Sequence, residues 1–255
     1  MIAKKKTERD ILREGGARLA RHLIALTCLV KPGLSVKALE DEARARVLKD
    51  GDELAFLGYT ERRGGNPYPS GLCVSVNDTI VHSPAGKSAY VLKEGDVVSL
   101  DFGIKHRGLY TDSAVTVIAG TGDKEDVRLI RGTREALEAG IGEAMIGNTT
   151  GHIGEAVERV ATKYGFGFPR NLGGHGVGRA VHEDPHIHNF GKAGEGSTLV
   201  EHMVIAIEPM MTRGSGELVL DSDGHSYKTR DGSRSAHFEH TVLVTKAGPK
   251  VLTVE

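Results

Sequence analysis

The sequence predicts an α+β protein made of two similar αβ halves. Three observations carry this reading. A pair of amphipathic helices is legible near the start and again in the middle of the chain, a strand-rich segment bearing acids follows each pair, and no linker or change of composition separates the two. Residues 1–255 are therefore expected to form one domain.

The elements follow in order. Thr7 and Asp10 stand as in a capping box with Asp in place of Glu, and Ile11, Leu19, Leu23, Ile24, Leu26 and Leu29 follow at near-helical spacing until Pro32 and Gly33 stop the helix. Ser35 is the expected cap of a second helix, with Val36, Leu39, Ala43, Val47 and Leu48 on one stripe ending near Gly51. Residues 60–71, TERRGGNPYPSG, predict a loop, and residues 72–81 a strand. After a hairpin at 97–118, Gly120 and Gly122 break the chain. Helices are expected at 123–145 and 150–164, the former weakened by Gly132, Gly140 and Gly142. Strands are expected at 200–207 and 238–245, which meet Glu208 and Glu239.

The hairpin places acids where an ordinary sheet would not. Val98, Leu100, Phe102 and Ile104 alternate with Ser99, Asp101 and Gly103. A turn with an even loop within 105–108 sets Asp101 directly opposite Asp112 on one face, with Leu109, Thr111, Ser113 and Val115 continuing the apolar face. Opposed like charges roughly 4.5 to 5.5 Å apart destabilise a sheet, and a cation between them is the simplest remedy. A three-residue loop would send the two acids to opposite faces. On this stretch alone, two solvated surface aspartates remain an equal alternative.

Composition narrows the class. With 39% hydrophobic residues a sizeable core is available, and 33 basic against 34 acidic residues give a net charge of −1, which advertises neither a nucleic-acid nor a membrane partner. No apolar run resembles a signal peptide or approaches the roughly 18 residues of a spanning helix. Cys28 and Cys73 are too few for a disulfide framework and fit a reducing compartment, so the cytoplasm is expected.

Several short motifs do not hold. His182-Glu-Asp-Pro-His186 has zinc-protease spacing, but that chemistry needs both histidines on one helical turn, and Pro185 inside the turn costs about 3 kcal/mol. Asp101-Phe-Gly103 lacks the rest of a kinase signature, and Ala85-Gly-Lys-Ser88 lacks the first glycine of a P-loop, which would fall at Val81. The glycine-rich residues 173–178 could cradle a phosphate, although no strong strand precedes them and a histidine sits at their centre.

Five acids and histidines interrupt strand-like or glycine-rich sequence: Asp101, Asp112, His175, Glu208 and Glu239. Each alone has an ordinary explanation, a solvated strand-end carboxylate or a packed loop histidine. Together, four carboxylates and one imidazole without a thiolate favour Mn, Fe, Co or Zn over copper. Their charge exceeds what one divalent ion balances, and two ions roughly 3.5 to 4 Å apart sharing carboxylates and a water would suit it. Such a pair makes the water acidic and polarises an amide carbonyl, the needs of metal-assisted peptide hydrolysis.

At these residues the chain resembles the type I methionine aminopeptidases, of the pita-bread fold. The resemblance runs over nearly the whole sequence, in VHS at 81–83, LDFG at 100–103, YTDSA at 110–114, GGHGVGRAVHEDP at 173–185, IEPM at 207–210 and FEHTVLV at 238–244. It implies a curved antiparallel sheet with outer helices and pseudo-twofold halves. It also implies two divalent ions on Asp101, Asp112, His175, Glu208 and Glu239, with Asp112 and Glu239 as bridges.

Further roles follow from the same resemblance. Glu208 handles the proton of the bridging water, and His82 and His182 contact substrate, His182 at the tetrahedral intermediate. Tyr59, Tyr68, Cys73, Val181, Met210 and His225 would surround the methionine side chain. The sequence departs from the pattern in its 61–71 loop, in Val181 where an aromatic is common, and in His225 where Trp is frequent.

The expected activity is removal of the initiator methionine from new chains whose second residue is small, by a metal-bridging hydroxide. Its substrate is a peptide or nascent-chain N-terminus met as a monomer, with the ribosome as a partner and no nucleic-acid specificity. The alternatives are a pita-bread peptidase of X-Pro type and a non-catalytic binding module, which would be expected to have lost ligands.

Overall fold

Helix α1 (Lys6–Thr27) opens the first half of this computed structural model, which describes residues 1–60 and 65–255. Its start differs from the expected capping box. Glu8 accepts the Lys5 N–H at 3.1 Å, while Asp10 is held instead by Lys6 Nζ at 2.7 Å, so the cap falls at Lys5. Helix α2 (Val36–Asp50) buries Val36, Leu39, Ala43 and Val47 and ends on Gly51 in the left-handed region. Ser35 occupies its N-cap but makes no capping bond, and Leu48 is 74% exposed, one position off the buried stripe.

Strand β1 (Glu53–Leu54) is a two-residue edge. The loop expected at 60–71 carries no helix or strand in its described part, and residues 61–64 lie outside the described residues. The strand expected at 72–81 is two, β2 (Leu72–Val76) and β3 (Thr79–Val81), parted at Asn77, whose φ of 57° suits an asparagine in a turn. Strands β4 (Asp96–His106) and β5 (Leu109–Ala119) form the predicted hairpin. Arg107 and Gly108, both at positive φ, make its two-residue turn.

That even loop puts Asp101 and Asp112 on one face, but the register corrects their expected opposition. Asp101 faces Ala114 and Asp112 faces Gly103, so the carboxylates are diagonal neighbours. The turn sits at 107–108, which shifts the pairing by two residues.

The second half repeats the opening. Asp123 caps α3 (Lys124–Gly142) by accepting the Asp126 N–H at 2.7 Å, and α4 (Thr150–Tyr164) keeps its expected bounds. Short strands follow: β6 (Gly173–Gly176), β7 (Glu183–His188), β8 (Val204–Ile207), β9 (Met210–Thr212), β10 (Leu218–Leu220), β11 (Tyr227–Thr229) and β12 (Ser235–His237). The last two are β13 (Glu239–Thr245) and β14 (Gly248–Val251). Residues 182–186 are thus no zinc-protease helix. Pro185 lies in the edge strand β7, at the irregularity between the His175–His186 and Gly176–Glu183 pairs, a position that tolerates proline. Nor do residues 173–178 form a phosphate turn, because 173–176 is a strand.

One antiparallel sheet runs β1-β4-β5-β13-β8-β6-β7, with β2 on β4 and β14 on β13. The halves meet where β13 pairs with β5, Glu239 opposite Ala114 and His240 opposite Ser113. Each half has its own apolar core. Leu19, Leu39, Leu100 and Phe102 lie in the first, and Leu137, Ile153, Ile205 and Val242 in the second. Among the described residues no helix is long and apolar enough to cross a membrane.

Candidate metal centre

The seam between the halves gathers the five predicted residues. Asp101 and Asp112 come from the hairpin, His175 from β6, Glu208 from the end of β8 and Glu239 from the start of β13. All five are at most 9% exposed. Donor atoms of His175, Glu208 and Glu239 lie within 4.8 Å of one another, as do those of Asp101, Asp112 and Glu239, so Glu239 belongs to both groups. His175 Nε2 is 3.4 Å from Glu208 Oε1 and 3.9 Å from Glu239 Oε1.

Local structure explains how the side chains converge. A Cβ on Gly174 would stand 2.2 Å from the Ala206 carbonyl oxygen, so only glycine lets β6 approach β8 this closely. His175 Nδ1 donates to the Gly176 carbonyl at 2.9 Å, which turns the Nε2 lone pair toward the acids. Thr241 Oγ1 donates to the Asp112 carbonyl at 2.7 Å and accepts the Asp112 N–H at 2.9 Å. Ser113 Oγ bonds the Glu239 carbonyl, and Asn189 the Glu208 carbonyl. Neither Thr241 nor Asn189 carried any signal in the sequence, since a hydroxyl or amide gripping a backbone is visible only after folding.

The electrostatics call for a cation. Burial, with the neighbouring carboxylates, holds Asp101, Glu208 and Glu239 well above the usual acid range, and burial lifts Asp112 to about 7. His175 falls to about 3 by desolvation and so stays neutral, as a ligand must be. Asp101 Oδ1 and Glu239 Oε1 are buried without a hydrogen-bond partner. Among the described residues lining the surrounding 820 Å³ cavity there is no Lys or Arg. The donor set therefore fits divalent ions, which would supply the missing positive charge.

A pH dependence follows for metal-free protein. A carboxylate whose folded pKa is raised costs nothing below its unfolded pKa of about 4 and destabilises the fold as it ionises through its folded value, here near 7 for Asp112. The melting temperature of EDTA-treated protein should therefore fall between about pH 4 and pH 8, and added divalent metal should remove most of that slope. A rising profile across this window would contradict the arrangement.

The histidines and pocket residues are placed unequally. His82 lines the cavity at a φ of 60°, and burial together with His182 and His225 lowers its pKa to about 4. His182 sits at the cavity mouth, its ring edge-on to His175 at 4.3 Å and its Nδ1 2.8 Å from the Tyr59 hydroxyl. Tyr59, Tyr68, Cys73, Met210 and His225 line the same cavity. Val181 does not. It is buried and packs with Phe56, Tyr68 and Cys73, and so stands behind the wall.

Several cavity-side residues escaped the sequence reading. Phe56 and Tyr227 line the cavity, and nothing distinguished them from ordinary core aromatics. His237 is 1% exposed, has no hydrogen-bond partner on either ring nitrogen, and sets Nε2 3.4 Å from Glu208 Oε2. Its signal was present, an isolated histidine two residues before Glu239.

Cys73 offers a check on the wall. Its thiol is buried against Tyr68 Oη at 2.9 Å, and burial with the Asp101 charge pushes its pKa well above the ordinary value, while Cys28 is exposed. Iodoacetamide at pH 8 should label Cys28 at least about a hundredfold faster than Cys73, read by peptide mass spectrometry. Equal rates would mean that the wall is open.

Comparison with known proteins agrees with this geometry. Residues 10–246 match the family described as Metallopeptidase family M24. A methionine aminopeptidase of Aquifex aeolicus is 48% identical over 236 residues, 91% of this chain and 90% of that protein, and methionine aminopeptidase 1 of Mycobacterium tuberculosis is 39% identical over 97% and 92%. The crystal structure of a methionine aminopeptidase from Thermotoga maritima superposes with a TM-score of 0.94 at 39% identity, covering all of both chains. A prolidase from Pyrococcus horikoshii shares the fold at a TM-score of 0.78 and 21% identity, but the match spans only 64% of its chain. Full-length likeness to enzymes of one kind and fold-level likeness to the other place this pita-bread chain in metallopeptidase family M24, among the methionine aminopeptidases.

Proposed function

We propose that the chain releases the N-terminal methionine of peptides and nascent proteins whose second residue is small. It acts in the cytoplasm, as a single-domain monomer that meets its substrates at the ribosome. The observation that carries the reading is the convergence of Asp101, Asp112, His175, Glu208 and Glu239 at one buried point, with no Lys or Arg among the described residues of the cavity wall. Two divalent ions held there, Mn, Fe, Co or Zn, would polarise the scissile carbonyl and make a water acidic enough to deprotonate near neutral pH.

The side chains divide the remaining work. Glu208, beside His175 and His237, takes a proton from the attacking water and returns it to the leaving amine. His182 stands at the mouth to donate toward the scissile carbonyl oxygen as negative charge develops, and His82, also on the cavity wall, holds the substrate backbone. Tyr59, Tyr68, Cys73 and Met210 offer an apolar recess for an unbranched thioether, with His225 at its edge, and Val181 supports that recess from behind.

Prolonged EDTA treatment should abolish release of methionine from a Met-Ala peptide, and Mn, Co or Fe should restore it. On a peptide panel Met-Ala should be cleaved well over tenfold faster than Ala-Pro. Activity that survives complete removal of metal would sink the mechanism, and preference for Ala-Pro would favour the X-Pro reading.

A further inference from the structure

A second cluster of ligating side chains lies on the other side of the hairpin, and none of its members lines the cavity. Helix α1 presents Glu14, Arg18 and His22 at four-residue spacing, hence on one face, toward the end of α2 and the hairpin tip. Asp50 and Asp52 flank Gly51, the left-handed residue that ends α2. His22 Nε2 is 3.6 Å from Asp50 Oδ2, and donor atoms of His22, Asp50 and Asp52 all lie within 4.8 Å of one another.

Two features set this apart from a surface ion-pair network. His22 is only 4% exposed, yet its Nε2 is buried without a hydrogen-bond partner. Asp52, 7% exposed, is held by His106, whose Nδ1 stands 2.6 Å from Oδ1. A histidine gripping a ligating carboxylate from behind is how outer partners orient such a group.

Among the surrounding charges, Arg18 is attracted to both aspartates, and Arg21 and Arg46 act on His22. Arg18 bonds Glu14 at 3.0 Å and the Asp50 carbonyl at 3.0 Å, and lies 3.5 Å from Asp52 Oδ2. Asp50 has His22 as its one ion-pair partner among the described residues. A buried imidazole nitrogen without a hydrogen-bond partner, turned toward two carboxylates, is an arrangement that a divalent ion would complete.

We infer that His22, Asp50 and Asp52 form a second divalent-cation site, separate from the candidate centre, which ties the end of α2 to α1 behind the hairpin. One imidazole and two carboxylates suit zinc or cobalt better than calcium or magnesium. The Asp50 side chain, 34% exposed, leaves an open side for entry and for water ligands.

Zinc titration of the full chain, with bound metal measured after dialysis, tests this in wild type, His22→Gln and Asp50→Asn. Each variant should bind one equivalent fewer than wild type and lose part of the zinc-dependent rise in melting temperature. Metal-loaded crystals should show anomalous density about 2.0 to 2.1 Å from His22 Nε2. Asp50→Asn changes a partly exposed residue and keeps the test available if His22→Gln does not fold. Equal zinc content in wild type and the folded variants, or saturated crystals with anomalous density only at Asp101, Asp112 and Glu239, would overturn the site. Density at His22 with none at those acids would instead overturn the reading of the candidate centre, so the two fail separately.

Discussion

Glu239→Ala protein should fold, retain less divalent metal than wild type, and release methionine at least about a thousandfold more slowly, a loss of about 4 kcal/mol in transition-state stabilisation. Glu239 belongs to two of the three donor groups at the centre, so its removal weakens both. The same change should raise the melting temperature of the metal-free protein. Glu239 is 2% exposed, its Oε1 has no partner, and its pKa is pushed up by burial and by Asp112, Glu208 and Asp101. Deleting a carboxylate that repels its neighbours relieves the fold while it disables the site, the usual trade between stability and activity. Metal analysis, steady-state kinetics and thermal melts of EDTA-treated protein check all three results. Near-wild-type turnover would refute the shared-ligand role.

His182→Ala should lower kcat by about a hundredfold or more and leave KM within a few-fold, the pattern of a group whose contribution is made in the transition state. The residue is exposed at the cavity mouth, so its loss leaves the core intact and the melting temperature nearly unchanged. The Tyr59 hydroxyl at Nδ1 and the edge contact with His175 fix the ring over the centre. Metal content should stay at the wild-type level, which would separate His182 from the five proposed ligands. A rise in KM at constant kcat would instead assign it to ground-state binding.

The sequence carried the strongly periodic parts of this fold. Helix α4 kept its expected limits, α2 ended on Gly51, and the period-two run from Val98 to Ile104 became β4, because in each the apolar spacing matches one face of one element. Strands β6 and β9–β12 were not legible, since three or four residues, in β6 mostly glycine, show no alternation and exist only through pairing with neighbours. Leu48 shows the same limit on a helix. Its spacing admitted it to the stripe, and its 74% exposure reflects the absence of anything packed there.

At the candidate site, the sequence by itself determined which chemical groups were available: four acids and a histidine set in apolar or glycine-rich surroundings where they needed a reason to be. Tertiary structure decided how they meet. The two-residue turn at Arg107 and Gly108 made Asp101 and Asp112 diagonal, the β5–β13 seam brought Glu239 to both, and folding set Val181 behind the cavity wall and His237 beside Glu208. Residue type is written locally. Register across the hairpin depends on where its two-residue turn falls, and proximity across the seam on pairing between strands more than a hundred residues apart, and no local pattern contains either.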